Sequence, residues 1–323
     1  VRIVFVHSDF GDDPNTGGGP IYDRRLMNSL SSLDGVVVEP FPVFRCRARR
    51  FPIWQARVEA DARARLAQLK ADGALIVVSH EALFSVVDEF DSEASPDLLI
   101  VHNFMPRFSY MGRPFLSALY TTGAKAFFRR YLGRARCLLF LSDPDYAGAN
   151  ALMDGGLSKN SLVLAPPPRP IDVQERVSGL IHVDGSKGWR AKRLGELTEK
   201  EKSQVIERGY RIGDFGDPMC SANGLITDRF AVGYKLKLMQ MIYARDVIAS
   251  FADLEEDVQQ VAPGYPCYCT VGSLEEALDF FDTFRSAPPE GKLSETTRLL
   301  SGYTWKYVAE QVFAFISKEG RKG

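Results

Sequence analysis

VRIVFVHSDFGDDPNTGGGP, residues Val1–Pro20, passes from an unbroken apolar run into a loop of glycine, aspartate, asparagine and proline. The run has the composition of a strand buried on both faces of a parallel sheet. Beyond the loop the apolar spacing changes to that of a helix from about Ile21 to Leu33. Strand, glycine-rich loop and helix form the first βα unit of a ligand-cradling sheet. Gly17, Gly18 and Gly19 let a ligand approach the backbone, and the helix start offers unpaired N–H groups to an anion. Their consecutive placement departs from the G-x-G-x-x-G spacing of a nicotinamide site.

The pattern repeats. Strands are expected at Val36–Val38, Ala74–Ser79, Leu98–His102, Cys137–Ser142 and Ser161–Ala165. Helices are expected at Ile53–Ala71, His80–Val87, Pro114–Leu132 and Tyr146–Met153. Such alternation predicts a doubly wound α/β domain, in which ligands bind beyond the carboxyl ends of the strands. His7, His80, His102 and Asp9 fall at or just past such ends, which makes them acid–base candidates. Each also has an ordinary structural role open to it. Asp143-Pro144 suits a turn and helix cap.

APPPRP, Ala165–Pro170, can continue neither strand nor helix and marks the domain boundary. Beyond it Leu180–Val183 reads as a strand, followed by GSKGWRAKR, Gly185–Arg193, and a helix from about Ala191 to Arg208. Lys187, Arg190, Lys192 and Arg193 would crowd that helix start, opposing its dipole unless an anion is present. DRFAVGYKLKLMQMIYARDVIAS, Asp228–Ser250, repeats the theme: Gly233 turns the chain into a helix from about Tyr234 to Tyr243. Lys235 and Lys237 stand in its first turn, where the dipole also favours an anion. Further elements are expected at Tyr210–Ile212, Leu225–Thr227, Tyr265–Thr270, Leu274–Phe284 and Glu295–Leu300. The last helix, Trp305–Ser317, carries Trp305, Val308, Ala309, Val312 and Phe315 on one face.

With 323 residues, 45% hydrophobic and 25% charged, the chain suits a globular protein of about two domains. A net charge of −1 argues against electrostatically driven nucleic-acid binding. Five scattered cysteines suggest reduced thiols, and Cys267-x-Cys269 lacks the partners of a zinc site. No apolar run approaches the roughly 20 residues of a membrane span and no signal-type segment opens the chain, so a cytoplasmic setting is expected. Arg57, Arg63, Arg65 and the RFPIW segment, Arg50–Trp54, could meet anionic lipid at the inner membrane face or an anionic polysaccharide, or simply form a solvated helix surface.

Several stretches together resemble the GT-B glycosyltransferases, in particular family 4 (group 1) and bacterial polysaccharide enzymes. VGYKLKLMQMIYARDVIAS, Val232–Ser250, looks like the donor motif E-G-F-G-L-x-x-L-E-A-M-A-x-G-x-P-V-V-A-S. VLAPPP after SDPDYAGANALMDGGL resembles the close of the family's first domain, and GSKGWRAKR the basic loop of its second. SGYTWKYVAEQV, Ser301–Val312, resembles the terminal helix that crosses back. Val232 and Gln240 stand where the family usually has two glutamates, and Lys235 replaces a glycine.

The resemblance implies an α/β architecture of two Rossmann-like, doubly wound domains facing a cleft. Residues 1–168 would be the acceptor domain, 169–304 the nucleotide-sugar domain, and 305–323 a helix packing back on the first. It implies a hexosyltransferase-type enzyme moving sugar from a nucleoside-diphosphate sugar such as a UDP-sugar to an acceptor hydroxyl. The acceptor would be a sugar, a lipid-linked molecule or a small molecule, in polysaccharide, glycolipid or glycoconjugate synthesis. No metal or other cofactor is expected: Lys187, Arg190, Arg193, Lys235 and Lys237 would stabilise the leaving diphosphate. Gly17, Gly18, Gly19, Gly185, Gly233 and Gln240 complete the donor-binding set. His102, Asp9 and His7 are the catalytic candidates, as base or as sugar-positioning group. A nucleotide-sugar epimerase and a non-catalytic nucleotide-sugar-binding module are the alternatives.

Overall fold

The computed structural model describes residues 1–8, 18–43, 58–90, 95–104, 114–157, 160–169, 171, 173, 175–184, 197–214, 220–228, 236–286 and 288–319. The chain divides into two compact units. One comprises Val1–Pro166 and Trp305–Gly323, the other Pro167–Ala231 and Lys235–Thr304. The division falls within the proline run, which offers neither ladder donors nor helical geometry.

The first unit holds a six-stranded sheet. Its strands are β1 Arg2–Ser8, β2 Val37–Val43, β3 Leu75–Ser79, β4 Leu98–Val101, β5 Cys137–Phe140 and β6 Ser161–Val163. All pairings are parallel, in the order β2-β1-β3-β4-β5-β6. Every residue of β4 and β5 is buried, as their continuous apolar runs require. β2 extends beyond the expected Val36–Val38, through Pro40 and Pro42. As an edge strand bonded only to β1 it tolerates residues that cannot donate to a second neighbour. The chain leaves β1 to build β2 on one side, then returns to build β3 on the other. That reversal opens a crevice between the carboxyl ends of β1 and β3.

Helix α1 (Gly18–Ser31) follows β1, and α2 (Ala60–Ala71), a 3-10 helix (Glu81–Glu89), α3 (Pro114–Leu132) and α4 (Asp143–Leu152) join the later strands. α4 begins earlier than expected because Ser142 caps it and Pro144 fits the first turn, where no N–H is needed. Asp143 lies inside that turn rather than at the cap. Asp97, buried at the head of β4, accepts from Lys70 Nζ and the backbone N–H of Ile76, each at 2.6 Å, and pairs with Arg136. It ties α2, β3 and the start of β5 together.

The second unit holds a five-stranded parallel sheet, β11-β10-β9-β7-β8. Its strands are β7 Leu180–Asp184, β8 Arg211–Asp214, β9 Asn223–Ile226, β10 Val247–Ser250 and β11 Tyr268–Thr270. Its helices are α5 Glu199–Glu207, α6 Leu236–Tyr243, α7 Glu255–Val261, α8 Leu274–Thr283 and α9 Glu290–Ser301. The strand order reverses between β7 and β9. At the amino edge, Arg176 reaches Asn223 Oδ1 at 2.9 Å and Ser221 Oγ at 3.3 Å, closing that end with internal bonds. α10 (Trp305–Glu319) belongs to the first unit and buries Val308, Ala309, Val312 and Ile316. Phe315, expected on that face, is only half-buried, and Ile316 fills the core position.

Gly224 lets α6 lie close to β9. A Cβ there would come 2.7 Å from Met241 Sδ, inside any normal contact. Gly224→Ala is therefore expected to destabilise the protein by about 1–3 kcal/mol, read as a drop in Tm. Gly224→Ala/Met241→Ala should cost less than the two single changes summed, because the second removes the clash.

Candidate active site

The C-terminal edge of the first sheet gathers the ionisable side chains. β3 ends on Ser79 and runs into His80, β4 ends beside His102, and α1 starts at Gly18 above them. Ser79 donates to Asp23 Oδ1 at 2.5 Å, and His102 Nε2 lies 2.9 Å from the same hydroxyl and 3.4 Å from Asp23. Asp23, Ser79 and Glu81 are at most 1% exposed and His102 is 5% exposed, so these groups depend on one another rather than on water. Tyr22 meets the His102 ring edge-on at 5.1 Å and Trp305 at 5.2 Å, and Arg25 stands 5.9 Å over Trp305. α10 thus props the helix that carries Asp23.

His80 completes the cluster, its ring 5.3 Å from that of His102. Its backbone has φ of 80° with ψ of 137°, a conformation few residues other than glycine adopt. This strain is held by the ring itself, whose Nδ1 accepts from the Ala82 N–H and caps the 3-10 helix. Gly19 lies directly over both rings: a Cβ added there would be 3.4 Å from His80 Cδ2 and 3.7 Å from His102 Nδ1. Nδ1 therefore faces a helix start whose first turn holds no acidic residue.

Burial alone would push His102 down. The hydrogen bond to Asp23 and the charges of Asp23 and Glu81 outweigh it and hold the imidazole above its ordinary range. Burial likewise holds Glu81 above the usual carboxylate range, against the nearby His102 and the Asn103 N–H that donates to it. The arrangement can present a cation and backbone N–H groups to an anionic ligand at the β1/β3 crevice.

Of the other expected site residues, His7 ends β1 on the same edge. It is buried, and its Nδ1 donates to the Ser8 carbonyl at 2.9 Å. Gly18 begins α1. Asp9, Gly17, Gly185, Lys187, Arg190, Arg193, Gly233 and Lys235 lie outside the described residues. Lys237 is half-buried in the first turn of α6. The helix expected from Ala191 instead has its described start at Glu199, where Thr198 and Glu201 form a capping box. Its first turn therefore carries acids, and the four cations of the basic loop precede it. This is the sign the dipole favours.

Gln240 is among the expected donor-binding residues. It is buried, accepts from the Arg169 N–H at 2.7 Å and donates to the Arg169 carbonyl at 3.1 Å. Both ends of its amide are engaged by the proline-rich segment. Arg63 bonds the Val58 carbonyl and Arg65 pairs with Glu39 at 2.6 Å, while Arg50–Trp54 and Arg57 lie outside the described residues. Sequence reasoning passed over Asp23, Ser79, Glu81 and Tyr22. Asp23 and Tyr22 lie on a helix read for its glycines, and Ser79 looked like the end of an apolar strand. Among the described residues no three His, Cys, Asp or Glu side chains are placed to hold a metal ion. No described helix is long and apolar enough to cross a membrane.

No protein-family model matches the chain, and no curated protein matches it in sequence. Solved structures do match in fold. Sucrose-phosphate synthase from Thermosynechococcus elongatus superposes with a TM-score of 0.61 at 13% identity, covering 100% of both chains. The UDP-forming α,α-trehalose-phosphate synthase from Burkholderia xenovorans, solved with glucose-6-phosphate, gives 0.63 at 9% identity over 98% of this chain and 99% of its own. HepE from Anabaena, solved with UDP, gives 0.60 at 12% identity over 98% and 100%. The chain therefore has the GT-B fold, an α/β fold with two Rossmann-like domains.

Two outcomes follow from the geometry. His102 is held above its unfolded value, so the stability it adds is complete below the pH where an unfolded histidine titrates. That stability is lost as pH rises through the folded value, and Glu81 contributes with the same sign in its own window. Chemical unfolding across pH should show this decline, and His102→Gln should flatten it. Gln240→Glu should lower stability by roughly 1–3 kcal/mol, measured by denaturant unfolding at a pH where the glutamate is ionised, because a carboxylate cannot donate to the Arg169 carbonyl.

Proposed function

We propose that the protein is a glycosyltransferase that moves a sugar from a nucleoside-diphosphate sugar to an acceptor hydroxyl. The observation that carries this reading is the His102 ring, held towards the imidazolium, with Nδ1 facing Gly19 at the start of α1. A breaking glycosidic bond leaves growing negative charge on a diphosphate, and fixed cations with helix N–H groups stabilise that charge without reorganising. The neighbours support the ligand class: one was solved with UDP, and another is named as UDP-forming and was solved with a sugar phosphate.

In this proposal His102 meets the sugar or its β-phosphate, and Gly18 and Gly19 contribute backbone N–H groups. Within the second unit, Lys235 and Lys237, with Lys187, Arg190 and Arg193 of the basic loop, are the candidates for binding phosphate charge. The loop follows β7 and the lysines follow β9, the two strands that flank the order reversal of the second sheet. The chain's own cations serve where a metal otherwise would. The acceptor belongs to polysaccharide, glycolipid or glycoconjugate synthesis, with the protein acting on the cytoplasmic side.

Calorimetric titration with UDP-, GDP- and ADP-sugars, followed by nucleotide-release assays, tests the reading. One nucleotide sugar should bind saturably and release its nucleotide faster when acceptor is added, with chelator present or absent. His102→Ala should lower kcat about 10²–10³-fold, roughly 3–4 kcal/mol. Gly19→Ala should fold normally yet lose turnover by setting a methyl group against Nδ1. Binding without turnover would favour a non-catalytic module, and sugar isomerisation without acceptor an epimerase. Failure to bind any of them would sink the proposal.

A further inference from the structure

The hydrogen-bond chain behind His102 fixes where its protons can be. A carboxylate only accepts, so the single hydroxyl proton of Ser79 goes to Asp23 Oδ1, 2.5 Å away. The Ser79 oxygen can then only accept from His102 Nε2, at 2.9 Å. Nε2 therefore carries a proton in the neutral ring and in the imidazolium alike. Nδ1 is left as the atom whose protonation varies, and it is the ring nitrogen that faces Gly19.

We propose that Asp23 is a positioning residue. Acting through Ser79, it fixes the His102 ring with Nε2 turned inward and Nδ1 presented at the start of α1 as the atom that meets the donor. The identity of what meets Nδ1 rests on the nucleotide-sugar reading above; the orientation and tautomer of the ring do not. Trp305 and Tyr22 secure the arrangement from the far side, because they hold the α1 turn that carries Asp23. Among the described residues, the groups facing the ring are Asp23 and Tyr22 from α1, Ser79 and His80 from the end of β3, and Glu81 from the 3-10 helix. Asp23 and Glu81 supply the negative charge that offsets burial of the imidazolium, and Asp23 alone also bonds the chain to Nε2.

The test uses the full chain, labelled with nitrogen-15 in its histidine rings, and reads the tautomer and titration of His102 by NMR beside the pH profile of kcat/KM. Wild type should show Nε2–H in its neutral form. Asp23→Asn keeps an oxygen for Ser79 but removes the charge, so His102 should titrate at lower pH. The alkaline limb of kcat/KM should move with it, and kcat should fall on the order of 10- to 100-fold with little change in KM. Ser79→Ala cuts the link, and its neutral ring should become a mixture of both tautomers. This variant decides the matter if Asp23→Asn fails to fold.

A His102 titration and tautomer unchanged from wild type in the folded variants would overturn the proposal. If the chain binds no nucleotide sugar, the NMR result still decides the role of Asp23, and only the proposed function is lost.

Discussion

The site depends on a buried chain of three side chains, Asp23, Ser79 and His102, at the crevice where the first sheet reverses its strand order. A buried imidazole loses charge unless something opposes its burial. Here a carboxylate delivered by α1 and a second from the 3-10 helix oppose it. The helix supplying the first carboxylate is the one whose glycine start faces Nδ1. The position of the helix and the charge on the ring are thus coupled.

The parallel sheet makes this arrangement possible. Its strands all point the same way, so their carboxyl ends bring His7, Ser79 and His102 to one edge without any long-range design. The strain at His80 fits there. A φ of 80° costs on the order of 1–3 kcal/mol, and the fold retains it where its ring packs against His102 and its backbone turns into the 3-10 helix. Support comes from remote sequence: Trp305 packs on Tyr22 and fixes the α1 turn.

The fold was largely legible because period and run length carry it. β1, β4 and β5 are unbroken apolar runs, and α3 and α10 begin at the expected residues. The misreadings were local. Prolines hid the length of β2, which only its edge position permits, and the short helix Glu255–Val261 has too few turns to display a period. The site was half legible. Strand ends flagged His80 and His102, but Asp23 and Ser79 become visible only when α1 is laid across β3. Gln240 shows the converse: motif position suggested a ligand contact, while its amide bonds Arg169.

In the proposed function, the donor's charged end is met at the β1/β3 crevice of the first unit. Nitrogen-15 shift mapping during titration with UDP-glucose and other nucleotide sugars tests this most directly. The Gly19 backbone N–H and the His102 Nδ1 signals should move together along one saturating curve. A nucleotide sugar that saturates the protein while both signals stay still would contradict it.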